Sequence, residues 1–74
     1  MLQDWQQRVV EEKKELDEKI QRLNEFLQKF DDGLLPDAVL ESMEARDLGL
    51  LEAQLCAMEE YSEYLKCRIE RFNK

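Results

Sequence analysis

Leu48, Leu51, Leu55, Met58, Ser62, Leu65, Ile69 and Phe72 follow one another at alternating intervals of three and four residues without a slip. On a helix these positions share one narrow stripe of coiled-coil type, which is buried only against another helix. The chain supplies that second helix itself. Leu2, Val9, Leu16, Leu23 and Phe30 recur at intervals of seven, with Trp5, Ile20, Phe26 and Leu27 filling the spacings between them. The periodicity predicts one long helix over about residues 3–30 and another over about 48–72. Asp4 followed by Gln7 has the spacing of a capping box at the start of the first, and Gly33, just past Phe30, is a stop signal.

The connector, residues 31–47, has two readings. It is a solvated turn, or it contains a short helix that begins at Pro36, runs to about Ala45 and closes the end of a bundle with Leu40 and Met43. Asp47 is placed to cap the second long helix. The whole chain, 1–74, reads as a single all-α domain: an antiparallel helical hairpin in which Phe30 lies beside Leu48, Leu23 beside Leu55, Leu16 beside Ser62 and Val9 beside Ile69. A two-helix hairpin buries one stripe of each helix, and Val10, Phe26, Leu50, Tyr61 and Tyr64 fall outside it. Covering them requires another hairpin, so a symmetric homo-oligomeric helical bundle is expected. At 74 residues the core of a lone chain is thin, which points the same way.

The formal charge of −7 argues against generic DNA binding. Its distribution is uneven. Residues 1–30 carry six basic and seven acidic groups, 31–47 one and six, and 48–74 four and five, so most of the excess sits in the connector. In the second helix the acids come first and most bases last, as the helix dipole favours. Antiparallel pairing then brings Arg68, Arg71 and Lys74 to the end where Trp5 and Arg8 lie. There is no histidine and no Gly-rich phosphate loop, so neither a catalytic pair nor an enzyme is expected, and no metal site or cofactor either. Cys56 and Cys67 are 11 residues apart on one helix, too far to join each other; the alternatives are pairing between chains and, favoured, two free thiols of a reducing cytosol. With no apolar run long enough to cross a membrane and no export signal, a soluble, unexported chain is expected.

Ser62 interrupts the second stripe, and Glu12 interrupts the first about one turn away in the hairpin. The two gaps predict either a small polar cavity between the helices or simple relief of crowding. The readings have opposite consequences. Ser62→Leu completes the stripe and stabilises by about 1–2 kcal/mol in the first case, and destabilises by overpacking in the second.

The stretches QDWQQRVVEEKKELDEKIQRLNEFL and LLEAQLCAMEEYSEYLKCRIERF resemble the bacteriophage anti-CBASS and anti-Thoeris helical-hairpin family, the cyclic-nucleotide sponge proteins. The motifs that carry the resemblance are Q-R-V-x-x-E, L-D-E-K-I-x-x-L and L-x-x-Q-L-x-x-M-x-x-Y-x-x-x-L. The resemblance implies hairpins assembled into symmetric oligomers, often hexamers, in the cytoplasm of an infected bacterial cell. They hold a cyclic di- or trinucleotide between protomers without cutting it, for immune evasion. Such a ligand needs aromatic faces for its bases and cations for its phosphates, on rigid helices. Trp5, Tyr61 and Tyr64 supply the faces, Arg8, Arg68 and Arg71 the cations at the open end, and Lys19 and Arg22 a second set at mid-helix. Each aromatic also has a plainer use: Trp5 as a helix-end core residue, and the two tyrosines as oligomer packing. An interaction module that binds a host protein is the alternative function. Replacing Asp31, Asp32 and Asp37 by Asn is expected to leave the mass measured by light scattering unchanged, because those charges lie away from both stripes.

Overall fold

The structure, a computed structural model, describes residues 1–73. Two long helices, α1 (Asp4–Asp31) and α3 (Ala45–Glu70), pack against each other along their length, with a short helix α2 (Asp37–Ser42) between them and a 3-10 turn (Arg71–Asn73) at the end. The result is an antiparallel hairpin about 50 × 18 × 16 Å in extent. Among the described residues every regular element is helical, and no helix is long and apolar enough to cross a membrane.

The ends of the helices follow from local hydrogen bonding. Gln6 Oε1 accepts from the Gln3 N–H at 2.8 Å, so α1 is capped from Gln3, one residue earlier than the Asp4–Gln7 spacing predicts. At the far end Gly33 has φ +69°, its N–H donates to the Phe30 carbonyl at 3.1 Å, and the Leu34 N–H donates to the Lys29 carbonyl at 2.9 Å. This pair of bonds satisfies the last carbonyls of the helix, and only the left-handed conformation of Gly33 allows it. Pro36 then precedes α2, its carbonyl accepting from Val39 and Leu40 at 2.9 and 3.1 Å. The connector therefore contains the short helix, which stops at Ser42, three residues short of the expected Ala45. Val39, Leu40 and Met43 are half-buried there. Asp47 does not cap α3 as its first residue. Its Oδ2 accepts from the Glu44 N–H at 3.0 Å, which starts the helix at Ala45 rather than near 48.

Little is fully buried. Val9, Leu16 and Leu65 form the core, with Ile20, Met58, Ile69 and Phe72 packed against it. Leu65, 1% exposed, gains about 1.5–3 kcal/mol by burial. Toward the connector, Leu23, Phe26, Leu27, Phe30, Leu48, Leu51 and Leu55 are each only half-buried. Leu50, Tyr61 and Tyr64 are 65%, 45% and 65% exposed, outside the seam, as the stripe pattern predicts. The register is fixed by two cross-helix contacts, Asp17 with Ser62 and Trp5 with Phe72, each within one residue of the expected pairing.

Ser62 is buried, and its Oγ donates to Asp17 Oδ1 at 2.5 Å. The gap in the α3 stripe is filled by a carboxylate from α1. It is not a cavity shared with Glu12, which is exposed. Lys13 Nζ donates to Asp17 Oδ2 at 2.6 Å, so both carboxylate oxygens are engaged. The Lys13 bond first, and the Ser62 bond second, hold the Asp17 carboxyl below its ordinary range, against the opposing pull of burial. A leucine at 62 has no vacancy to fill and strips the carboxylate of a donor. Ser62→Leu is therefore expected to lower stability by about 1–3 kcal/mol in thermal melts. A depressed folded-state pKa stabilises above the ordinary carboxylate value of about 4 and loses that contribution as pH falls toward the depressed value. Asp17→Asn is expected to lower the Tm near neutrality, and melts taken at successively lower pH should show the difference from the parent closing in acid.

Candidate functional site

The open end of the hairpin, where α1 begins and α3 finishes, carries a groove of about 270 Å³ lined by Trp5, Gln6, Arg68, Arg71 and Phe72. Its position follows from the seam. Trp5 lies in the first turn of α1 and Phe72 closes the stripe of α3, so the antiparallel register sets them together. Their ring centroids are 5.2 Å apart at an interplanar angle of 81°. In this edge-to-face arrangement one ring's positive edge meets the other's negative face. Trp5 nevertheless remains 55% exposed, and an aromatic surface faces solvent beside two guanidinium groups.

Among the described residues Lys13–Asp17 is an ion pair, whereas no carboxylate is paired with Arg68 or Arg71. Both arginines sit at the carboxyl end of α3, whose dipole they complement. Their fork-shaped guanidinium groups remain free to bind an anion. The arrangement can stack a planar group on Trp5 and hold an anion against two cations. The groove contains no nucleophile or general base, and among the described residues no group of three or more Cys, Asp or Glu is placed to hold a metal ion.

The structure brings three of the eight candidate residues, Trp5, Arg68 and Arg71, to one groove and leaves five outside it. Arg8 is exposed one turn further along α1, and Lys19 is exposed at mid-helix. Arg22 lines a separate shallow groove of about 300 Å³ with Glu18, Gln21 and Glu25, where two carboxylates offset its charge. Tyr61 and Tyr64 line none of these grooves. A larger groove of about 400 Å³ runs along α1, lined by Val10, Lys13, Lys14, Asp17, Glu18, Gln21 and Ile69, so two bases and two acids offset each other in it.

Phe72 and Asp17 escaped the sequence reading as site and partner residues. Phe72 belongs to the seam by its spacing and packs there, and only its place at the end of the row signals that one edge remains open. For Asp17 the signal was the i, i+4 spacing from Lys13, which marks a charged pair but not its reach across the seam. Trp5→Ala and Phe72→Ala in a double-mutant cycle are expected to show a coupling of about 0.5–1.5 kcal/mol in denaturant melts.

No curated protein and no solved structure matches the chain. The Sequestin family model matches residues 3–71, which include both long helices, the connector and all but Phe72 of the open-end groove. On that match the chain belongs to the Sequestin family.

Proposed function

We propose that this chain sequesters a cyclic di- or trinucleotide without cleaving it, as a homo-oligomer that removes a signalling molecule from its effector during phage infection. The family is named for sequestration. The observation that carries the ligand class is the open-end groove: an exposed indole braced by Phe72 beside Arg68 and Arg71. A base has a π-face for Trp5 and a phosphodiester has oxygens for the arginines, and few other small metabolites carry both in a rigid ring. Nothing in the groove attacks a phosphorus centre, so the bound molecule leaves as it arrived.

A groove this shallow covers part of a cyclic nucleotide. The second hairpin of an oligomer completes the enclosure, and the half-buried apolar rows near the connector call for such a partner on energetic grounds. A symmetric assembly, with a hexamer as one form, fits both demands. Arg8, one turn from Trp5, is the next cation available to the ligand. Lys19, Arg22, Tyr61 and Tyr64 join the site where a neighbouring protomer brings them to the groove. The setting is the cytoplasm of the infected cell.

Calorimetry against a panel of cyclic di- and trinucleotides is expected to give saturable heat with at least one of them, and chromatography of the recovered ligand is expected to show it intact. Trp5→Ala should weaken binding by about 1–3 kcal/mol through lost stacking. Arg68→Ala or Arg71→Ala should cost about 1.5–3 kcal/mol through a lost charge-assisted bond. Silence across the panel, or binding unaffected by all three changes, would count against this groove and favour a protein ligand instead.

A further inference from the structure

Gln6 has two roles at the open end. Its Oε1 accepts from the Gln3 N–H at 2.8 Å, and the same half-buried side chain lines the groove beside Trp5, Arg68, Arg71 and Phe72. A backbone N–H can bond only the oxygen of a carboxamide, so the cap fixes which way round the amide sits. With that oxygen engaged at the start of α1, Gln6 has an NH2 group left to offer, and an NH2 group only donates. The other polar side chains of the groove are donors too, two guanidinium groups and the indole N–H of Trp5. Apart from the engaged oxygen, the lining presents no side-chain acceptor.

We infer that the groove selects guanine among the bases, read from its N7 and O6 edge, and that Gln6 is the residue that sets this choice. The inference rests on the nucleotide reading proposed above. Guanine presents two acceptors side by side on that edge, whereas adenine presents N7 beside an amino group and cytosine an amino group at the equivalent place. An amino group turned toward Gln6 sets donor against donor and leaves both without a partner where the ligand has displaced water. Uracil offers one acceptor there, and its single ring covers less of the indole than a purine does. Either guanidinium matches the N7 and O6 pair as a fork, which leaves the other for a phosphate oxygen. The arginines alone choose poorly, because each serves the phosphate of any nucleotide equally well. Gln6 carries no charge to attract a phosphate, so its held amide acts on the identity of the base.

The test compares cyclic di-GMP, cyclic di-IMP and cyclic di-AMP by calorimetry on the full chain. Hypoxanthine has the N7 and O6 edge of guanine and lacks its 2-amino group, so the first two are expected to bind alike, and both at least about tenfold more tightly than cyclic di-AMP, the discrimination a bidentate base contact supplies. Gln6→Glu retains an oxygen for the Gln3 N–H, a pairing helix starts favour, and replaces the NH2 donor by an acceptor. It is expected to leave the helical circular dichroism unchanged and to bring the ratio of guanine to adenine affinity to one or below, whatever its added charge does to binding as a whole. Equal binding of cyclic di-AMP and cyclic di-GMP by the parent chain, or much weaker binding of cyclic di-IMP than of cyclic di-GMP, would overturn the choice of base and edge. An undiminished ratio in Gln6→Glu would overturn the role of Gln6. Silence with all three while another cyclic di- or trinucleotide binds would overturn the base assignment alone, and silence with every one of them would overturn the sequestration reading as well.

Discussion

Among the described residues one side-chain hydrogen bond crosses the seam, and the register of the hairpin depends on it: the Ser62 hydroxyl donates to the Asp17 carboxylate while Lys13 holds the other oxygen. Leucines along two helices pack acceptably in several registers, because one apolar knob resembles the next. The Ser62 hydroxyl finds a carboxylate in this register, and a shifted register exchanges that charge-assisted bond for at best a weaker one to its own helix backbone. The contact adds little net energy, since Asp17 is 45% exposed in its side chain and solvent screens its charge. It works by making the alternatives worse. Everything at the open end inherits that choice, because Trp5 meets Phe72 only in the register that Asp17 and Ser62 select.

The buried core and the open-end groove lie in the same half of the molecule. The fully buried apolar residues lie in the half of the hairpin nearer the open end, and the rows toward the connector stay half-wet. The acidic connector sits at the opposite pole from Arg68 and Arg71, so the acidic excess of the chain is kept away from these two cations. Distance does this work: the poles are separated by much of a 50 Å molecule, several Debye lengths at physiological salt.

The hairpin was legible because three- and four-residue spacing has one physical interpretation over so many turns, and because Gly33 and Pro36 leave the chain few other places to reverse. The exact caps were not. Whether Gln3 or Asp4 starts α1, and whether Glu44 or Asp47 starts α3, turns on a side chain reaching back three residues, and two overlapping patterns compete for it. Ser62 was visible as an anomaly, but its cause lay on the other helix. Asp17 falls off the apolar stripe of α1, and a period count treats off-stripe carboxylates as solvated charge. The gathering of Trp5 with Arg68 and Arg71 followed from the pairing register, whereas the dispersal of the other five candidates depends on the angular position of each side chain, which residue type does not reveal.

The groove joins residues from nearly opposite ends of the chain, Trp5 and Phe72, at the pole farthest from the turn that links the helices. Two paired helices come apart most cheaply where no loop ties them, so this is the segment that frays first. The groove therefore exists only while the last turns of both helices at this end remain closed. A molecule bridging those turns acts as a clasp. Whatever it gains by binding is returned to the hairpin as resistance to unzipping, through mass action rather than through any change of shape.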